Sequence, residues 1–106
     1  MGLKKAILFP QTEKKLRLVG EQIKLARLRR KLPVQEVADR AAIGRSTVIA
    51  IEKGSPSVSM GFYLAVLNVL GLQDDILYIA RDDVLGRTYQ DLNLKIPRRI
   101  RNYDTK

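Results

Sequence analysis

Five apolar positions around a short turn in the middle of the chain restrict its fold more than any other feature of the sequence. They are Val37, Ala38, Ile43, Val48 and Ile51. Two short helices that are joined by a tight turn and cross steeply need inward apolar residues at this spacing, and a small residue where they touch. The segment after the turn begins at Gly44 and stops at Gly54, which are typical helix boundaries. The pattern therefore predicts one short helix on each side of residues 42–44.

The remaining pattern predicts further helices and no strands. Apolar residues from Leu16 to Ala26 recur at helical spacing, so we expect a first helix from an N-cap at Thr12 to about Lys31. Pro33 suits the first position of the second helix. Ser59 is the expected cap of a fourth helix that is apolar almost all round, and a fifth helix is predicted over residues 73–80. The sequence therefore predicts an all-α domain of five helices over residues 12–80, with an N-terminal arm (1–11) and a C-terminal tail (81–106).

The charge is large and unevenly distributed. The chain of 106 residues carries a net charge of +9, and its first 31 residues hold ten lysines and arginines against only Glu13 and Glu21. Residues 73–94 are acidic, with five aspartates against two arginines, whereas residues 95–106 are basic again. A charge of this size attracts nucleic acid, an anionic membrane or an acidic protein partner.

Missing residue types narrow the possible chemistry. Histidine and cysteine are both absent, which removes the thiol nucleophile, the usual general base and the usual zinc ligands. No constellation of carboxylates and lysines stands out, so we expect no enzyme, no metal and no cofactor. The longest apolar run, residues 62–67, is far shorter than the ~20 residues of a membrane span. With no secretory leader recognisable at the start, the expected location is the cytoplasm.

The helix after the turn would present an unusual outward face. Its residues are Arg45, Ser46, Thr47, Ile49 and Ala50. In a helix-turn-helix arrangement this second helix lies in the major groove of DNA, where arginine pairs with guanine and apolar side chains meet thymine methyl groups. Ser46 and Thr47 are short enough to reach a base edge or a phosphate. The alternative is an ordinary packed helix in which Ile49 meets another helix or a second subunit.

The segment "LVGEQIKLARLRRKLPVQEVADRAAIGRSTVIAIEKG" (residues 18–54) resembles the Cro/repressor-type helix-turn-helix domain, the XRE family, and the resemblance extends to about residue 72. It implies a lambda-repressor-like fold and a sequence-specific repressor that acts as a dimer on a palindromic operator. In this family the positions of Arg27 and Glu52 commonly form a structural pair. Ala42 stands where the family usually has glycine, and a left-handed conformation there would cost roughly 1 kcal/mol.

Two further sets of residues complete the predicted site. The candidate phosphate contacts are Lys24, Arg30, Gln35 and Lys53. The family often has a phosphate-binding glutamine at the position of Val34, and Gln35 is one place further on. The resemblance therefore does not by itself imply the Gln35 contact. The candidate dimer contacts are the apolar residues left after the core is filled, Leu72, Ile76, Leu77 and Ile79.

The carboxyl-terminal part suggests a narrower hypothesis. "VSMGFYLAVLNVLGLQDDI" and "DDVLGRTYQDLNLKIPRRIR" resemble the corresponding part of HipB-like antitoxins, which are encoded beside HipA-type Ser/Thr kinase toxins. This resemblance implies a kinase toxin as a further partner, whereas an inert tail, or one that only contacts phosphate, is the alternative. A second hypothesis for the whole chain is a protein-interaction module that keeps the fold and does not bind DNA.

Overall fold

The computed structural model describes residues 6–92, and this part of the chain is entirely helical where it is regular. It contains helices α1 (Pro10–Arg29), α2 (Val34–Ala41), α3 (Arg45–Glu52), α4 (Met60–Val69), a 3-10 helix (Gln73–Tyr78) and α5 (Val84–Asp91). No strand occurs between residues 6 and 92, and the predicted all-α class is confirmed.

The described residues divide into two compact units, with the boundary between Ile76 and Leu77. The first unit holds α1 to α4 and a core built from all four helices. The core residues are Ile23, Ala26, Val37, Ala38, Val48, Ile51, Tyr63, Val66 and Leu70. Of the five positions around the turn, four are completely buried and Ile43 packs against the core from its edge. Because burying one Val or Ile side chain stabilises a fold by about 1.5–3 kcal/mol, these positions hold α2 and α3 together.

Four successive helices of the first unit end with the same backbone motif. After each helix one residue adopts a positive φ, and the two amide groups at and beyond it donate to carbonyl groups of the last turn. The four residues with positive φ are Lys31, Ala42, Gly54 and Gly71. Ala42 has a φ of 59° and a ψ of 42°, so the left-handed alanine expected from the sequence is present.

Replacing Ala42 with glycine is expected to raise the free energy of unfolding by about 0.5–1 kcal/mol. The left-handed conformation costs an alanine roughly 1–2 kcal/mol, which glycine does not pay. The greater freedom of glycine in the unfolded chain cancels part of this stabilisation. The matched control is Ala41→Gly one residue earlier, at the last position of α2, which we expect to lose up to about 1 kcal/mol. Urea denaturation of the two variants measures both changes. A loss of stability in both would contradict the assigned backbone strain.

Helix α1 differs from the prediction at both ends. It begins at Pro10 with Phe9 as the N-cap, so Thr12 lies inside the first turn and the expected cap there is wrong. Proline at the first helical position sets the helical φ and lacks an amide that would need a partner. The helix ends at Arg29, two residues early, because Lys31 takes the left-handed conformation. Pro33 is the N-cap of α2, and Val34 is its first residue.

The segment after α4 also differs from the prediction. Residues 73–78 form a 3-10 helix, shorter than the α-helix expected over residues 73–80. The predicted tail contains α5, a helix that the sequence pattern does not predict. The Asp83 side chain caps α5 by accepting from the Gly86 amide at 3.0 Å. The residues of the tail beyond Leu92 lie outside the described part of the chain.

Candidate nucleic-acid interface

Helix α3 packs against α1 and α2 through one face and leaves the other accessible. Val48 and Ile51 point into the core and are completely buried. On the opposite side Arg45 and Ser46 are exposed, whereas Ile49 and Ala50 are half-buried, as is Thr47. The structure therefore brings the five predicted base-reading residues onto one short helix, with its two polar residues at the amino end most accessible.

The carboxyl end of α3 touches the backbone of α1 directly. A Cβ atom added to Gly20 of α1 would lie 2.5 Å from the Gly54 amide nitrogen and 2.5 Å from the Ile51 carbonyl oxygen. A Cβ added to Gly54 would lie 2.5 Å from the Arg17 Cα. Only glycine fits at either position. The sequence pattern predicts only a helix stop at Gly54. A glycine within the long helix α1 is the one signal of this close approach.

A buried ion pair joins the same two helices. The Arg27 Nε donates to the Glu52 Oε2 at 2.6 Å, and Arg27 Nη2 donates to Oε1 at 3.0 Å, so the pair is bidentate. The third guanidinium nitrogen, Nη1, donates to the Leu32 carbonyl at 2.9 Å. The two side chains are only 9% and 7% exposed. The hydrogen bonds that Arg27 donates to Glu52 raise the pKa of Arg27 above its ordinary value. The structure contains the pairing that the family resemblance implied.

The short helices α2 and α3 share a buried core, and α3 is joined to α1 by the Gly20–Gly54 approach and the Arg27–Glu52 pair. A family model described as a helix-turn-helix domain matches residues 18–77 of the chain. The chain belongs to the helix-turn-helix domain family. No curated protein matches it. Membership indicates a DNA-binding regulator, and proteins of this family are typically not enzymes.

Several basic residues of the predicted interface take no part in ion pairs of this helix-turn-helix protein. Residues 6–92 contain four ion pairs, Arg17–Glu13, Arg27–Glu52, Arg40–Glu36 and Arg87–Asp82. Arg45, Lys24 and Lys53 are exposed and take part in none of these. Arg30 donates to the Ala26 carbonyl at 2.9 Å, and its guanidinium keeps further donors.

The first turns of α2 and α3 add backbone donors. Their N-cap residues, Pro33 and Gly44, provide no side-chain acceptor for the amide groups that follow. Free amide groups and the helix dipole at such an end favour an anion. Gln35, in the first turn of α2, donates to the Asp39 carboxylate at 3.0 Å, so it would have to exchange that partner to bind a phosphate.

The four candidate dimer residues of the helix-turn-helix protein occupy different environments. Leu72 packs against the core, and Ile76 is half-buried. Leu77 and Ile79 are exposed. Only the last two residues are thus largely accessible to a second subunit.

The described residues contain neither a membrane-spanning helix nor a cluster of metal-ligand side chains. No helix between residues 6 and 92 is both long and apolar enough to cross a membrane. The same part of the chain contains no group of three or more acidic, histidine or cysteine side chains placed to hold a metal ion.

Proposed function

We propose that this helix-turn-helix protein is a sequence-specific transcriptional repressor that binds a palindromic operator as a dimer. The observation that carries the proposal is the accessible face of α3, which begins with the exposed Arg45 and Ser46. This face is held at a fixed position by the Arg27–Glu52 pair and by the Gly20–Gly54 approach.

Each residue of the accessible face has a contact that suits a base pair. Arg45 presents two parallel donors to the O6 and N7 atoms of guanine, the commonest specific contact in the major groove. Ser46 and Thr47 donate to a base edge or a phosphate. Ile49 and Ala50, which are half-buried, offer apolar contact to a thymine methyl group.

Lysine and arginine outside α3 are proposed to bind the phosphate backbone. Lys24, Arg30 and Lys53 supply charge, and Gln35 supplies an amide donor after it leaves Asp39. These contacts carry no sequence information and make the affinity fall as salt rises.

Replacing Arg45 with alanine is expected to weaken operator binding by about 1–3 kcal/mol and to relax the preference at one base pair. Lys24→Ala should weaken binding to all sequences to a similar extent. Arg40→Ala is the matched control, because this exposed arginine lies on α2 and already pairs with Glu36. The measurement is a titration of DNA from upstream of the gene, and of single-base variants, at about 0.15 M salt, close to physiological ionic strength.

Unchanged affinity and selectivity in Arg45→Ala would contradict the proposed reading role. If the wild-type protein shifts no upstream DNA at all, the protein-interaction module becomes the better account of the fold.

Dimer formation follows from the small size of the reading helix. One helix of this length reads only a few base pairs, and repressors of this type bind two half-sites about one helical turn apart. We propose that Leu77 and Ile79, with Ile76 and Leu72 beside them, contribute to the contact between subunits. Light scattering of the free protein and of its DNA complex measures the assembly directly.

A kinase toxin is the proposed second partner. The support is the resemblance of residues 58–76 and 82–101 to HipB-like antitoxins, which implies an adjacent gene for a HipA-type Ser/Thr kinase. A protein that ends after residue 80 should lose co-purification with that kinase and keep operator binding. Unchanged co-purification, or the absence of a kinase gene beside this one, would contradict the proposal.

A further inference from the structure

Helix α2 carries two carboxylates outside the core, and they have different partners. Glu36 pairs with the Arg40 guanidinium, which compensates its negative charge. Asp39 is exposed and accepts a hydrogen bond from the side-chain amide of Gln35, with 3.0 Å between Oδ1 and Nε2. None of the ion pairs within residues 6–92 includes Asp39. The carboxylate of Asp39 is thus bound to a neutral group and keeps its charge.

Gln35 lies at the end of α2 that favours an anion. It is the second residue of the helix, and the cap residue Pro33 provides no side-chain acceptor for the amide groups of this turn. The Glu36 and Val37 amides donate to the Pro33 carbonyl, whereas the first amide groups of a helix have no acceptor within it. A phosphate at this end would therefore meet backbone donors together with the side-chain amide of Gln35.

Asp39 opposes a phosphate at this end in two ways. It lies one helical turn beyond Gln35 on the same side of α2. A phosphate that takes the Gln35 amide breaks the hydrogen bond to Asp39, and the exposed carboxylate also repels the incoming anion. Neither effect depends on the base sequence, because the phosphate group is the same at every base pair.

We propose that Asp39 competes with the DNA backbone for the Gln35 amide and so lowers the affinity of this protein for every duplex. This role rests on the DNA binding of the proposed function and adds a residue that limits the phosphate contact of α2. A weaker backbone contact lowers the affinity for operator and unrelated DNA alike. A larger share of the binding free energy then comes from the bases that α3 contacts.

A double-mutant cycle between Asp39 and Gln35 tests this competition. The full-length wild type, Asp39→Ala, Gln35→Ala and the double variant are each titrated with an unrelated duplex and with upstream DNA at about 0.15 M salt. Asp39→Ala should tighten binding to both by about threefold or more, since it frees the amide and removes the charge. In the Gln35→Ala background the same substitution should tighten binding by less than about twofold, because only the screened charge effect remains.

Two further variants separate the hydrogen bond from the charge. Asp39→Asn removes the charge and keeps an oxygen that accepts from Gln35, so its gain in affinity should be smaller than that of Asp39→Ala. Glu21→Gln is the matched control for net charge. Glu21 is exposed on α1, on the side opposite to the buried Ile23, and its substitution should change the affinity by less than about twofold.

The outcomes distinguish this competition from the repressor proposal. No gain from Asp39→Ala, or equal gains with and without Gln35, would overturn the competition and leave base reading by Arg45 unaffected. A gain that depends on Gln35, in a protein that binds upstream and unrelated DNA equally, would support the competition and contradict sequence-specific repression. If neither the wild type nor Asp39→Ala binds any duplex, both proposals are wrong.

Discussion

Replacing Gly20 with alanine is expected to lower the free energy of unfolding by about 3 kcal/mol or more. The new methyl group would lie 2.5 Å from two backbone atoms of the α3 end, at Gly54 and Ile51. Backbone atoms cannot move aside by changing a rotamer, so α1 and α3 must separate and the core between them must loosen. For a domain of this size the melting temperature should fall by more than about 10 °C.

Three other glycines separate the steric effect from the conformational one. Gly61 is in α4, and only the Ser59 hydroxyl lies near its added Cβ, at 3.8 Å, so Gly61→Ala should be neutral or stabilising. Gly71 has a φ of +77° and nothing within 4 Å, so Gly71→Ala should cost only about 1–2 kcal/mol. Gly54 has a φ of +70° and close backbone neighbours, so Gly54→Ala should lose stability through both the left-handed conformation and the steric overlap. If Gly20→Ala were no worse than Gly61→Ala in thermal and urea unfolding, the close approach would be refuted.

Removing one member of the Arg27–Glu52 pair should cost about 3–5 kcal/mol. Arg27→Met leaves the Glu52 carboxylate, which is 7% exposed, without its two guanidinium donors. Glu52→Gln leaves a buried guanidinium without its counter-charge. The double variant Arg27→Met/Glu52→Gln buries no unpaired charge and should therefore lose less than the sum of the single losses. Part of the loss will remain, because the Leu32 carbonyl also loses its donor.

The exposed pair on α2 provides the comparison. Arg40→Met and Glu36→Gln break an i,i+4 pair in which both side chains are about half exposed, and each should change stability by less than about 0.5 kcal/mol. Urea unfolding measures the free energy of unfolding of all five variants, three at the buried pair and two at the exposed pair. Equal losses at the buried and exposed pairs would show that burial does not decide the strength of Arg27–Glu52.

The sequence allowed the central part of the fold to be predicted because several local signals agree there. The spacing of Val37, Ala38, Val48 and Ile51 predicts the inward faces of α2 and α3, and all four side chains are completely buried. The cap of α4 at Ser59 was also predicted, and its hydroxyl accepts from the Phe62 amide. These features depend on periodicity and capping, which act over a few residues.

The features that were missed depend on other causes. The predicted start of α1 at Thr12 assumes a side-chain cap. The helix instead begins at Pro10, which needs no such cap. The approach of Gly20 to Gly54 joins residues far apart in the chain, and a glycine within the long helix α1 is its one local signal. Helix α5 was overlooked because its apolar residues lie among charged ones, although Asp83 three residues before Gly86 is a usable cap signal.

The residues that anchor α3 and the residues that it exposes are different ones, and this separation has a consequence for how the helix can change over evolutionary time. The residues that anchor the helix, Val48, Ile51 and Glu52, are buried or paired, whereas Arg45 and Ser46 make no contact on which the fold depends. Substitutions at the two exposed positions therefore carry little risk of unfolding the domain. Under the proposed base-reading role of α3, single amino-acid changes at these positions would give descendants of this protein new DNA preferences without compensating changes in the core.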